Sequence, residues 1–130
     1  MLKITKRADY GLTLLEVCWA RGENYVGLKK LATEYKLPYK FLGQIASDLL
    51  TAGILESKEG AGGGYRINRE HGPITVKEVM EVLDGPLVTA DCMCGIKCGR
   101  VGKCKHQKIM VKMAKVLGEV LEKTTLEAIC

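Results

Sequence analysis

No apolar stretch of this 130-residue sequence is long enough to span a bilayer, and residues 1–7 contain no apolar signal core. Both absences favour a cytoplasmic protein that does not enter a membrane. The sequence also contains no obvious nucleophile–base pair and no nucleotide-binding loop, so we expect no enzymatic activity. No internal repeat, low-complexity tract or separate linker interrupts the chain.

The charge and apolar content fit a small globular protein. Lys and Arg number 20 and Asp and Glu number 15, which gives a formal net charge of +5. This mildly basic balance permits nucleic-acid binding without requiring it. Hydrophobic residues make up 47% of the chain, which is enough for a core, and the length predicts one domain with or without a helical appendage.

Four of the six cysteines lie close together, in the spacing Cys-x-Cys-x3-Cys-x5-Cys from Cys92 to Cys104, and His106 follows. No carboxylate lies between Cys92 and Lys108, and the cations of this segment favour the thiolate form that binds metals. Disulfide scaffolds spread their cysteines along the chain, whereas these are clustered. The segment therefore predicts a metal or cluster site in a reducing compartment.

The kind of site follows from the cysteine spacing. Structural zinc sites usually contain two cysteine pairs at a spacing of two to four residues, and this segment does not contain two such pairs. We therefore favour an iron–sulfur cluster, with zinc binding or direct oxidation of the thiols as the alternatives. We expect Cys18 to be a buried bystander and Cys130 to be a free thiol.

Apolar periodicity predicts three helices in the first half of the chain, over residues 5–20, 28–35 and 39–52. Pro38 separates the second helix from the third. A short helix, a tight turn and another helix of this size indicate a helix-turn-helix. The apolar stripe expected to face the core from the first helix contains Ala8, Leu12, Leu15 and Trp19, broadened by Leu14 and Cys18.

Two strand-like runs, 54–58 and 65–67, flank a glycine-rich segment directly after the third helix. This order predicts a winged helix, so the fold class is mainly α with a small β wing. Residues 1–86 would form the winged helix-turn-helix DNA-binding domain. Gln44 is the best candidate base reader, because its amide can pair with an adenine edge. The full set of candidate DNA contacts is Lys29, Lys30, Lys36, Tyr39, Lys40, Gln44, Ser47, Lys58, Gly62, Gly63 and Arg66.

The second half of the chain predicts two helices on either side of the cysteine loop. A capping box at Thr75–Glu78 opens the first, and the loop occupies residues 87–105. The long helix after it repeats apolar residues in a heptad-like 4-3-4 spacing, which favours a partner helix and hence a dimer. These seam residues are Ile109, Met113, Val116 and Val120. Residues 106–130 would form the dimerisation helix and a C-terminal turn opened by a second capping box, Thr124–Glu127.

Several segments together carry a resemblance to a known family. They are Ile4-Thr5-Lys6, Tyr10-Gly11-Leu12, Leu42, Gln44, Gly53, the wing segment 60–65, Leu83-Asp84-Gly85-Pro86, Cys92, Cys98, Cys104 and Thr124-Thr125-Leu126-Glu127. The chain resembles the dimeric winged-helix transcription regulators that include IscR, NsrR and CymR. The resemblance implies a homodimer that binds a palindromic operator in double-stranded DNA. It also implies a 2Fe-2S or 4Fe-4S cluster, held by Cys92, Cys98 and Cys104, whose state reports iron–sulfur status, nitric oxide or redox conditions.

The chain departs from that family at several positions. Cys94 is an extra cysteine, and His106 lies two residues after Cys104, whereas the IscR pattern places its histidine three after. The fourth cluster ligand is open among Cys94, His106 and Asp9, of which the last would usually come from the partner chain. Glu59 stands where IscR-like members carry an arginine that reaches DNA, so the wing contact would pass to Lys58 or Arg66.

Overall fold

The computed structural model describes residues 3–100 and 102–130. Met1 and Leu2 of the predicted DNA-binding domain and Val101 of the predicted cysteine loop lie outside the described residues. The helices are α1 Lys6–Ala20, α2 Leu28–Tyr35, α3 Tyr39–Thr51, α4 Val76–Asp84, α5 Gln107–Lys123 and α6 Leu126–Ile129. The strands are β1 Leu55–Lys58 and β2 Gly64–Ile67, and short 3-10 turns cover Arg69–His71 and Asp91–Cys94. The predicted fold class, mainly α with a small β wing, is confirmed.

The core lies where α1, α3 and α4 pack against one another and against the base of the wing. Leu14 and Leu15 of α1 and Leu42, Ile45 and Leu49 of α3 have no exposed surface. Each such side chain contributes about 1.5–3 kcal/mol when it is fully buried. This packing holds the helix-turn-helix as a rigid unit and leaves the other face of α3 for contacts outside the chain.

The predicted apolar stripe of α1 is displaced by one residue at its end. Trp19 is 37% exposed, whereas Cys18 is completely buried. The buried face runs through Ala8, Gly11 and Leu15 to Cys18, so Trp19 lies at its edge. The prediction that Cys18 is buried is confirmed, and the prediction that Trp19 faces the core was wrong.

Local hydrogen bonds explain where the helices begin. The Thr5 hydroxyl accepts a bond from the backbone N–H of Ala8, and the Thr75 hydroxyl accepts one from Glu78, as the first capping box predicts. The second predicted capping box was wrong. The Thr124 hydroxyl donates back to the carbonyl oxygen of Val120 at 2.8 Å instead, because Thr124 still belongs to the end of α5.

The wing is an antiparallel hairpin whose register runs from Leu55 opposite Ile67 to Lys58 opposite Gly64. Its base is joined to the segment before α2, because Tyr65 and Val26 exchange backbone hydrogen bonds of 2.7 and 2.9 Å. Gly64 has φ +140°, and a Cβ there would collide with the carbonyl oxygen of Val26. This glycine therefore fixes the wing against the helix-turn-helix.

The end of the chain returns to the core, which the sequence did not predict. Leu126 is only 1% exposed and packs among the core side chains. Its backbone N–H donates to the carbonyl oxygen of Ile74 at 2.8 Å, and Val76 donates to Thr124 at 2.9 Å. These bonds fasten the C-terminal end of α5 to the start of α4.

Helix α5 packs on α4 and exposes its predicted seam. Ile109 is 57% exposed, Val116 49% and Val120 57%, and Gly118, on the opposite side of the helix, is buried. Within the described residues, no helix is both long and apolar enough to cross a membrane. The exposed seam is thus an apolar stripe along the outer side of a single chain.

Candidate DNA interface and cysteine pocket

Helix α3 presents a polar face opposite its buried one. Lys40, Gln44 and Ser47 are exposed, and they recur at intervals of four and three residues. Tyr39 begins the helix and is 56% exposed. The core residues of α3 hold this face outward, so its side chains can enter a major groove.

Basic side chains are also exposed on α2 and on the turn that joins α2 to α3. Lys29 and Lys30 are exposed in the first turn of α2, and Lys36 is exposed at its end. Lys36 has φ +55°, a left-handed conformation that ends α2 and lets Pro38 precede α3. Cations at these positions can contact the phosphates that flank a groove.

The tip of the wing exposes Lys58, Glu59 and Gly62 to solvent. Gly63 has a structural role in addition, because a Cβ there would collide with the carbonyl oxygen of Lys58 and distort the hairpin. A phosphate contact at the tip would therefore fall to Lys58 and to backbone groups, beside an exposed carboxylate.

Arg66 is already engaged within the chain. Its guanidinium pairs with Glu56, donates a 3.1 Å hydrogen bond to the carbonyl oxygen of Glu23 and lies 4.5 Å from the centroid of the Tyr25 ring. The hydrogen bond to Glu56 is the main cause of a raised pKa at Arg66. This arginine holds the wing to the loop after α1, and a DNA contact would compete with that role.

The cysteine loop and the first turn of α5 line an open cavity of about 500 Å³. Cys92, Cys98, Cys104 and His106 all line it, so the structure brings four of the six predicted ligands to one place. The Thr89 hydroxyl donates a 2.6 Å hydrogen bond to the carbonyl oxygen of Met110, which ties the start of the loop to α5. Three cysteine thiols and one imidazole thus line the same cavity.

The other two predicted ligands lie outside that lining. Cys94 is exposed at the end of the 3-10 turn, and Asp9 is exposed in the first turn of α1. Among the residues that the structure describes, no three His, Cys, Asp or Glu side chains are close enough together to hold a single metal ion.

The thiols differ in their electrostatic environment. Hydrogen bonds from the backbone N–H of Arg100 and then from its side chain lower the pKa of Cys98. Burial raises the pKa of Cys18 to about 12, and burial followed by the charges of Glu16 and Glu127 raises the pKa of Cys130. The sulfur of Cys98 is thus the one of these three whose surroundings favour the thiolate.

A helix-turn-helix with an exposed polar reading face, followed by a two-stranded wing, defines a winged-helix DNA-binding protein. Residues 4–130 match the model of the Rrf2 family, which is described as an iron-dependent transcriptional regulator. The chain belongs to the Rrf2 family and is a DNA-binding transcriptional regulator. Its relatives are named as regulators, which confirms the expectation that it is not an enzyme.

The similarity to known members covers nearly the whole chain. The HTH-type transcriptional regulator CymR of Bacillus subtilis is 31% identical over 127 residues, which are 97% of this chain and 88% of that protein. The solved structure of that protein, described as the global cysteine regulator, has a TM-score of 0.77 and covers 99% of this chain and 96% of its own. The structure of T. potens IscR has a TM-score of 0.78 at 29% identity, covering 98% and 85%. The predicted resemblance to regulators of this kind is confirmed.

Proposed function

We propose that this regulator is a cytoplasmic homodimer whose affinity for a palindromic operator depends on an iron–sulfur cluster, held by Cys92, Cys98, Cys104 and His106. The single observation that carries the proposal is the cavity of about 500 Å³ that these four side chains line together. A family description as iron-dependent and a similarity to IscR support the same function.

The residues around the cavity fit an inorganic cluster. Thiolates are the usual ligands of such clusters, and a histidine can replace one of them. Lys97 and Arg100 line the cavity and can offset the negative charge of the thiolates. The first turn of α5 also lines it, through Gln107 and Met110, and the positive end of a helix favours negative charge.

His106 is the fourth ligand in this proposal. It lines the cavity from the N-cap position of α5, and within the described residues its side chain makes no capping hydrogen bond to that helix. Cys94 and Asp9 are both exposed outside the lining. A ligand from the partner chain, such as its copy of Asp9, would need a dimer in which α1 approaches this pocket.

When bound by these residues, the cluster would supply a redox-active centre held by iron–thiolate bonds. The protein's own residues would transmit the state of the cluster to the DNA-binding helices. Cys92 precedes and His106 follows the glycine-rich part of the loop, so joining them would order that segment. His106 also occupies the N-cap position of α5, so a change in the loop would reach the first turn of the dimerisation helix directly. In a dimer, the placement of α5 decides whether two copies of α3 lie one turn of DNA apart.

The wild-type protein, purified without air, is expected to be brown, to absorb visible light and to contain iron and sulfide. His106→Ala is expected to lose most of that absorption, because the fourth ligand is removed. Cys94→Ser and Asp9→Asn are matched controls that remove the other two candidates and are expected to keep it. Iron and sulfide analysis with visible spectroscopy makes the comparison.

Two kinds of result would contradict this proposal, one for the fourth ligand and one for the cluster itself. If Cys94→Ser or Asp9→Asn loses the cluster and His106→Ala keeps it, the assignment of the fourth ligand is wrong. A colourless anaerobic protein with zinc alone, or with free thiols, would reject the cluster. The alternative would then be a winged-helix regulator that uses zinc or direct thiol oxidation.

DNA contact by α3 gives a separate prediction. Gln44→Ala is expected to weaken binding to the cognate operator by about 1–3 kcal/mol and to change non-specific binding little, because an amide reads a base edge. Lys40→Ala is expected to weaken both and to reduce the log–log salt slope by about 0.9, because one phosphate contact is lost. Fluorescence anisotropy on both DNAs at several salt concentrations measures this. A salt-independent affinity would argue against the interface.

A further inference from the structure

One arginine side chain joins three helices of the DNA-binding region. Arg7 lies in the first turn of α1, and its side chain is 26% exposed. Its guanidinium pairs with the carboxylate of Asp48 on α3 and lies 6.0 Å from the ring centroid of Phe41 on the same helix. Its Nε donates a 2.7 Å hydrogen bond to the carbonyl oxygen of Leu83 in the last turn of α4. A single planar group therefore fixes α3 and the end of α4 relative to α1.

The end of α4 is the point where the cysteine loop leaves the DNA-binding domain. Thr5, which caps α1, donates a 2.7 Å hydrogen bond from its hydroxyl to the carboxylate of Asp84, the last residue of α4. Cys92 follows only a short connection later. A change in how the loop is held thus acts first on Leu83 and Asp84, both of which are bonded to the start of α1.

Asp48 connects this group of bonds to the reading face. It lies one helical turn after Gln44 and directly after Ser47 on α3, and its side chain is 42% exposed. If Arg7 moved away, an unpaired carboxylate would stand beside the face that contacts DNA and would repel phosphates. Arg7 therefore contacts α3 and also offsets a negative charge at the edge of its exposed polar face.

We infer that Arg7 is a positioning residue that couples the cysteine loop to the reading helix α3. The inference deepens the proposed function and rests on it. When the loop shifts the end of α4, the bond from Arg7 to Leu83 and the ion pair to Asp48 compete for one side chain, and α3 changes its position. Arg7 itself touches neither DNA nor the cavity in this role.

A double-mutant cycle on operator affinity tests the coupling. The four anaerobically purified proteins are wild type, Cys98→Ala, Arg7→Gln and the double variant. Cys98→Ala is expected to change operator affinity by about tenfold in the wild-type background and by less than about twofold in the Arg7→Gln background. Arg7→Gln alone is expected to keep the visible absorption of wild type. Hydrogen exchange of the cluster-free proteins is expected to show faster exchange of α3 amides in Arg7→Gln.

Two further variants make the test specific. Lys6→Gln removes the same charge from the same turn of α1 but makes none of the three contacts, so it is expected to retain the tenfold response. Asp48→Asn breaks the ion pair from the other side and is expected to reduce the response, and it replaces Arg7→Gln if that variant does not fold.

The experiment distinguishes a failure of the coupling through Arg7 from a failure of the proposed sensing function. If Cys98→Ala changes affinity equally in the wild-type, Arg7→Gln and Asp48→Asn backgrounds, the coupling through Arg7 is overturned and the proposed function stands. If Cys98→Ala leaves affinity unchanged in the wild-type background, the sensing function fails and the coupling fails with it.

Discussion

Cys98→Ala is expected to abolish cluster binding and to change operator affinity by about tenfold or more, within the 5- to 150-fold range typical of coupling between two sites. Cys98 lies in the middle of the cysteine loop, lines the cavity and receives hydrogen bonds from Arg100 that favour the thiolate. No other cysteine of the described residues lies between Cys94 and Cys104 to replace it. The measurement combines iron and sulfide content with operator binding under anaerobic conditions.

Cys94→Ala is the matched control for that variant. It removes a thiol from the same loop, but Cys94 is exposed outside the cavity. We expect its iron content and operator affinity to equal those of wild type. If Cys98→Ala bound the operator as the cluster-loaded wild type does, the sensing part of the function would be wrong even though the protein binds DNA.

Val116→Glu combined with Val120→Glu is expected to convert the proposed dimer into monomers and to weaken operator binding by about 10²- to 10⁴-fold. The two valines are 49% and 57% exposed on the same seam of α5. Burying four carboxylates in a symmetric helix pair is costly, and without the second subunit the operator is bound through one half-site. Sedimentation and operator titration, together with binding to an isolated half-site, measure both effects.

Val111→Glu is the matched control on the same helix. Val111 is 49% exposed, as Val116 is, but it lies about half a turn from the seam at 100° per residue. It borders the groove between α5 and α4, together with Lys77 and Gly118. We expect Val111→Glu to remain dimeric. If it dissociates and the seam variant does not, the dimer uses another face of α5.

The elements of the fold follow from local sequence signals, and so they could be predicted. Helix α2 has the predicted bounds, Leu28–Tyr35, because its apolar face and the following Pro38 are features of neighbouring residues. The wing follows from glycines that permit positive φ, as at Gly64. Periodicity also indicated the exposed seam of α5, since its apolar residues recur in a heptad-like spacing that favours a partner helix.

The contacts that join distant segments could not be predicted in the same way. Arg7 is 41 residues from Asp48 and 76 from Leu83, and nothing in its local sequence distinguishes it from the solvent-exposed Lys6. The return of Leu126 to Ile74 depends on the direction in which α5 leaves the loop. The family resemblance implied three cysteine ligands, but only the folded loop separates His106, inside the cavity, from Cys94, outside it.

Backbone hydrogen bonds from Leu126 to Ile74 and from Val76 to Thr124 fix the C-terminal end of α5 to the start of α4. This end of α5 cannot translate without breaking those bonds and exposing Leu126, whereas its other end begins at the pocket. If the loop moved, α5 would tilt about this fixed end, and the displacement would be largest near His106. In a dimer, two α5 helices that tilted in this way would diverge from each other. The two copies of α3 would then move apart without unfolding of either subunit.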